Sequence, residues 1–131
     1  MHEIKAQWQA LPFDKIPSQV GRAGYAVISR TNGQTGFEYL AGVQVSSSAG
    51  LPAGLVTTQL PARTWAVFPH LQNVSQLKNT ITEIFHVWLP DSGRTIDHPS
   101  PDSPDLIEYY AEDFDPQTGR GTMEIWVPVK P

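Results

Sequence analysis

Val74, Leu77, Ile81, Ile84, Phe85 and Trp88 recur at three- and four-residue intervals, the spacing of one apolar face of an α-helix. No other stretch of the chain constrains its fold so strongly. The spacing predicts a helix over about 74–89, with Asn73 or Ser75 capping its start and Pro90 and Gly93 closing it. A helix with a single apolar stripe needs a surface to bury it against, and the flanking sequence supplies strands. "GYAVISR" (24–30) and "GFEYLAGVQV" (36–45) read as a hairpin joined by "TNGQTG". "LVTTQLPARTWAVFPH" (55–70) reads as extended, interrupted at Pro61. "DLIEYYAEDF" (105–114) and "GTMEIWVPV" (121–129) read as a second hairpin joined by "DPQTGRG". Near the N-terminus, Ile4, Trp8 and Leu11 share a helical spacing that Pro12 ends, predicting a first helix over about 3–11.

The order repeats: helix then hairpin, followed by strand, helix and hairpin. Two copies of one strand–helix–strand–strand unit explain it, the first over about 1–50 and the second over about 55–131. The first copy lacks its leading strand. The fold class expected is α+β: a single domain over 1–131, an antiparallel sheet and two main helices, with pseudo-twofold symmetry between the halves.

Composition removes several classes of function. Acidic residues outnumber basic ones, 13 against 9, for a net charge of −4. With no Lys/Arg cluster, there is no electrostatic footprint for direct nucleic-acid binding. The absence of cysteine excludes disulfides and thiolate metal sites. His2, His70, His86 and His98 are not spaced as a metal motif, so no metal site is expected. No Gly-x-Ser-x-Gly nucleophile elbow occurs, and the "GRAG" and "GRG" glycines lack the context of a phosphate loop, so no cofactor is expected. No apolar run reaches membrane-spanning length, and the amphipathic N-terminus is unlike a secretory signal; the expected location is cytoplasmic.

One acid does not fit the pattern. In "DLIEYYAEDF", Leu106, Glu108 and Tyr110 share one face of the strand, while Ile107, Tyr109 and Ala111 share the other. Both faces are largely apolar, and burying a lone carboxylate is costly. Either Arg30, Arg63 or Arg120 pairs with Glu108, or the site is a pocket whose missing partner is a cationic ligand, held also by aromatic faces. Trp65, Tyr39 and Tyr110 lie in strands near polar neighbours, where they would either fill the core or line such a groove. Phe85 and Trp88 read as core, and Trp126 as packed under the helix or at the edge of the sheet.

"ARTWAVFPH", "WLPDSG", "IEYY" and "EIWVPV", together with "FEYLAGVQV", resemble the GyrI-like effector-binding domain. This is the ligand-sensing part of many AraC-type and MerR-type transcription regulators, and it also occurs alone in gyrase-inhibitory proteins. The resemblance covers roughly Trp8 to Val129. It implies two strand–helix–strand–strand units about a pseudo-twofold axis. It also implies an aromatic groove in which lipophilic cations meet a buried glutamate. The family's strand glutamate, with an aromatic two residues on, matches Glu108 and Tyr110. Trp65 in "WAVF" stands where tyrosine is common, Tyr39 precedes "LAG", and Trp8 is the aromatic of the first helix. These five residues form the implied ligand-binding set. Two departures carry implications. A missing first strand would leave a sheet edge that another chain could cover, as in a homodimer. With no helix-turn-helix ahead of the domain, the expected role is a stand-alone binder that sequesters its ligand or signals to a protein partner. The alternatives are a protein-interaction module, such as a gyrase inhibitor, and a hydrolase of reactive electrophiles with Glu108 and tyrosines as acid and base.

Overall fold

The structure, a computed structural model, describes residues 8–33, 36–60, 62–100 and 103–131. Five strands form one sheet: β1 (Gly24–Gly33), β2 (Gly36–Gly42), β3 (Thr64–Pro69), β4 (Pro104–Tyr110) and β5 (Met123–Val129). Their order is β2-β1-β4-β5-β3, and every neighbouring pair is antiparallel. Helical residues lie at 8–10, in a 3₁₀ turn over Phe13–Lys15 and in a long run over 74–92, so the architecture is α+β. Of the first helix expected over 3–11, residues 3–7 lie outside the described residues.

Alternation along the strands sorts side chains onto two faces. Register places Ala26 and Ile125 beside Glu108, Ile28 beside Leu106, and Phe68 beside Ile125. This is the inner face, and the long helix packs on it. Ile28, Ile84, Leu106, Met123, Ile125, Val127 and Val129 form the core cluster, with Leu77, Ile81, Phe85 and Trp88 packed against it. Trp88 meets Phe68 edge-on at 4.7 Å, as the periodicity led one to expect. The outer face carries Tyr25, Tyr109, Trp126 and Trp65, whose rings touch in series. Trp126 is therefore neither under the helix nor at a sheet edge. It sits on β5, an inner strand, on the side away from the helix.

The long helix is not uniform. Val74–Gln76 is a 3₁₀ turn, Leu77–Glu83 is α-helical, Ile84–Trp88 is π-helical and Leu89–Ser92 is α-helical again. Asn73 caps the start, its side chain accepting from the Ser75 N–H. The expected stop at Pro90 comes late, because Pro90 lies inside the final turn. Proline lacks the N–H that would bond back to His86 and crowds that carbonyl. The wider π turn just before it absorbs the mismatch. Gly93, at φ 70°, ends the helix in the left-handed conformation that glycine adopts freely.

Strand limits differ from expectation: β1 runs on to Gly33 and β5 starts only at Met123. Residues 55–60 form no strand: β3 pairs from Thr64, opposite Val129, where β5 itself ends. β2 stops at Gly42. β4 stops at Tyr110, where the chain turns through a hydrogen bond from Phe114 N to the Ala111 carbonyl.

Backbone pairing repeats between the halves. Val20 N donates to Gln44 O and Ser46 N to Ser18 O, while Asp97 N donates to Pro128 O and Lys130 N to Thr95 O. In each case the segment leading into a hairpin pairs with the far end of that hairpin. The central β1–β4 pair joins the two halves. In the second half β3 covers the outer edge of β5; among the described residues no strand takes the equivalent place beside β2.

Candidate functional site

Glu108 lies on the central strand β4, on the inner face, and is 6% exposed. Two tyrosines answer it. The Tyr110 hydroxyl, two residues along the same face, donates to Glu108 Oε1 at 2.7 Å. The Tyr39 hydroxyl, from β2 across the sheet, donates to the same oxygen at 3.3 Å. Trp8 Nε1 in turn donates to the Tyr39 hydroxyl at 2.9 Å. Tyr39 reaches this point because β2 pairs Tyr39 with Ile28 and β4 pairs Leu106 with Ile28, which sets the tyrosine on the acid's face.

Burial pushes the Glu108 carboxyl above its ordinary value, and the hydrogen bonds from Tyr110 and Tyr39 only partly oppose it. The tyrosines shift upward too, first through burial and then through the adjacent carboxylate, so both remain protonated donors at neutral pH. Glu108 Oε2 has no hydrogen-bond partner among the described residues, yet it is not sealed off from solvent. The acid thus holds one oxygen with two hydroxyls and keeps the other open.

Neither Arg63 nor Arg120 neutralises it. Arg63 bonds instead to the Asp97 carbonyl, and neither Arg63 nor Arg120 makes an ion pair with Glu108. The Arg30 side chain lies outside the described residues.

Aromatic rings wall the acid. Trp8 meets Tyr110 edge-on at 5.6 Å, Phe114 meets Tyr110 at 4.8 Å, and Phe13 stacks on Trp8 at 6.4 Å. Gly24 makes the approach of Trp8 to the sheet possible. A Cβ there would stand 3.1 Å from Trp8 Cζ3 and 3.2 Å from Cη2, tighter than most carbon contacts. Of the five residues singled out by sequence, Glu108, Tyr110, Tyr39 and Trp8 come together. Trp65 does not. It pairs with Pro128 on the outer face and touches Trp126 at 6.2 Å, with the sheet between it and Glu108. Phe13, Phe114 and Gly24 were missed. Phe13 carries no strand or helix periodicity, Phe114 stood only as the last residue of a stretch read as a strand, and Gly24 opened another such stretch.

A two-layer α+β fold with a buried acid held by tyrosines and ringed by aromatics defines a small effector-binding domain of the GyrI-like class. The chain belongs to the family described as Cass2, integron-associated effector binding protein, whose family model matches residues 1–129. It is also similar to the transcriptional regulator BrlR of Pseudomonas aeruginosa, 28% identical over 94 residues. That match takes in 71% of this chain and 33% of the regulator, so the chain spans about a third of that relative's length. No described helix is long and apolar enough to cross a membrane.

Proposed function

We propose that the protein binds lipophilic cations, with Glu108 as counter-charge and Trp8, Tyr39 and Tyr110 as the walls that receive the ligand's apolar body. The observation that carries this reading is a buried carboxylate with hydroxyl donors but no Lys or Arg among its described partners. Hydroxyls satisfy one oxygen without supplying a positive charge. A ligand cation would supply that charge, and the ring faces would add cation–π attraction. Family membership and the similarity to a transcription regulator support effector binding; the charge preference rests on Glu108.

Cation binding stabilises the ionised acid, so it lowers the raised carboxyl value and releases a proton where the empty site still holds one. Release is therefore expected between the lowered value of the occupied site and the raised value of the empty site, fading on either side. Calorimetric titration in two buffers of different ionisation enthalpy measures it directly. The probe is an aryl trimethylammonium, compared with its uncharged tert-butyl isostere. The ammonium compound should bind more tightly and release protons in that window. Equal affinities with no buffer dependence would overturn the reading.

Trp65→Ala provides an internal control. Across the sheet from Glu108, this substitution should leave the ammonium affinity within about twofold while costing the protein the ring contact with Trp126, on the order of 0.5–1.5 kcal/mol beyond lost area. A large fall in affinity at unchanged stability would place Trp65 back at the site.

A further inference from the structure

We propose that the outer face of the sheet carries a second small-molecule site, one that takes a carboxylate on Arg63. A groove of about 460 Å³ lies there, within the range of ordinary ligand pockets. Its floor is the outward side of β1 and β2, with Val27, Ser29 and Leu40; Leu60 and Ser103 come from loops, and Arg63 precedes β3. Val27 and Leu40 are register partners on the face opposite Ala26 and Glu108, so the sheet itself separates this groove from the acid.

Arg63 is the group that gives the groove its chemistry. Its side chain is only 10% exposed. One Nη1–H donates to the Asp97 carbonyl at 3.1 Å, which fixes the guanidinium in place. The Asp97 carboxylate stands at 3.9 Å from the same nitrogen and is 29% exposed, too distant for a hydrogen bond and partly screened. Arg63 Nε and Nη2 have no hydrogen-bond partner among the described residues, and neither is sealed from solvent. A nearly buried guanidinium, anchored on one arm and with donors still open, matches the two oxygens of a carboxylate. Val27, Leu40 and Leu60 offer an apolar bed for the rest of the ligand, and Ser29 and Ser103 offer hydroxyls. A single guanidinium among the described lining residues suits a single carboxylate. The ligand class is therefore a monocarboxylate with an apolar body. Its charge is opposite to that of the cation proposed for Glu108, and although Tyr39 also borders this groove, Arg63 takes no part in the Glu108 site.

The test is a two-dimensional amide NMR titration of the full chain with 2-naphthoate and with its neutral counterpart, 2-naphthamide. Naphthoate should shift the amides of Val27, Ser29, Leu40 and Arg63 saturably, with naphthamide at least tenfold weaker. Arg63→Met should erase that preference, and Arg63→Lys, which keeps the charge but not the fork, should restore only part of it. Saturating aryl trimethylammonium should not displace naphthoate, whether or not the ammonium compound occupies the Glu108 site. Shifts that cluster around Glu108, no saturable shifts at all, or a preference that survives in Arg63→Met would each overturn the proposal. If Arg63→Met fails to fold, the shift map of the parent and the Arg63→Lys titration still decide it.

Discussion

Ile84→Ala is expected to lower the urea midpoint by an amount equivalent to about 2–5 kcal/mol, with the slope of the transition unchanged. Ile84 is 3% exposed and belongs to the core cluster with Ile125, Val127 and Val129. Truncating it removes buried methyl groups and leaves a cavity that the surrounding sheet cannot fill. Val87 lies three residues on, in the same π segment, yet is 53% exposed. Val87→Ala should cost no more than about 0.5 kcal/mol. The contrast tests the π turn itself. Such a turn shifts the phase of the residues after it relative to an unbroken α-helix, and so decides which of them meet the sheet. Similar losses in the two variants would mean that the helix presents a different face.

The inner face of this fold could be read from sequence wherever a periodicity had one apolar side. The helix over 74–89 was of that kind, and its stripe is the one that packs. Glu108 was legible for a different reason: it broke a pattern, since neither face of its strand offered water. What answered it was not legible. Tyr110 shares its face by simple alternation, but the choice between hydroxyl and arginine depends on where Arg63 and Arg120 end up, and loop conformation fixes that. Trp65 shows a sharper limit. In "TWAVFP", Trp65 and Val67 form one apolar set, and Ala66 and Phe68 form another. Alternation fixes the two sets but not which of them faces the helix, and only pairing with β5 settles it. Resemblance to a strand in which tyrosine is common points to the wrong set. Gly24 was legible as a glycine but not as a point of close approach, because Trp8 comes to it from a segment distant in sequence. The groove at Arg63 left no mark in the sequence at all. It is assembled from three strands and two loops, and no spacing within any one of them marks it.

Glu108→Gln should weaken an aryl trimethylammonium by about 1.5–3 kcal/mol, the scale of a charge-assisted hydrogen bond, or roughly ten- to a hundredfold in affinity. The uncharged isostere should bind nearly as before. The same substitution has a second signature, on stability. A carboxyl whose value is raised on folding holds its proton more tightly in the native state than in the unfolded chain. The native protein therefore loses stability as pH rises, from about the ordinary value of 4.5 through the raised folded value, and above that it carries the full cost of a buried charge. Glutamine carries no such charge. Below pH 4.5 the parent's acid is protonated in both states, so the two proteins should differ little. At neutral pH the glutamine variant should be the more stable of the two. Its amide oxygen can still accept from Tyr110 and Tyr39, which keeps their hydroxyls from becoming buried unpaired donors. Urea denaturation at several pH values, paired with calorimetry on the matched ligands, separates the two roles. A variant that loses stability at neutral pH would show that Glu108 holds the fold together through an ion pair. A variant that keeps the parent's preference for the ammonium compound would remove the acid from cation recognition.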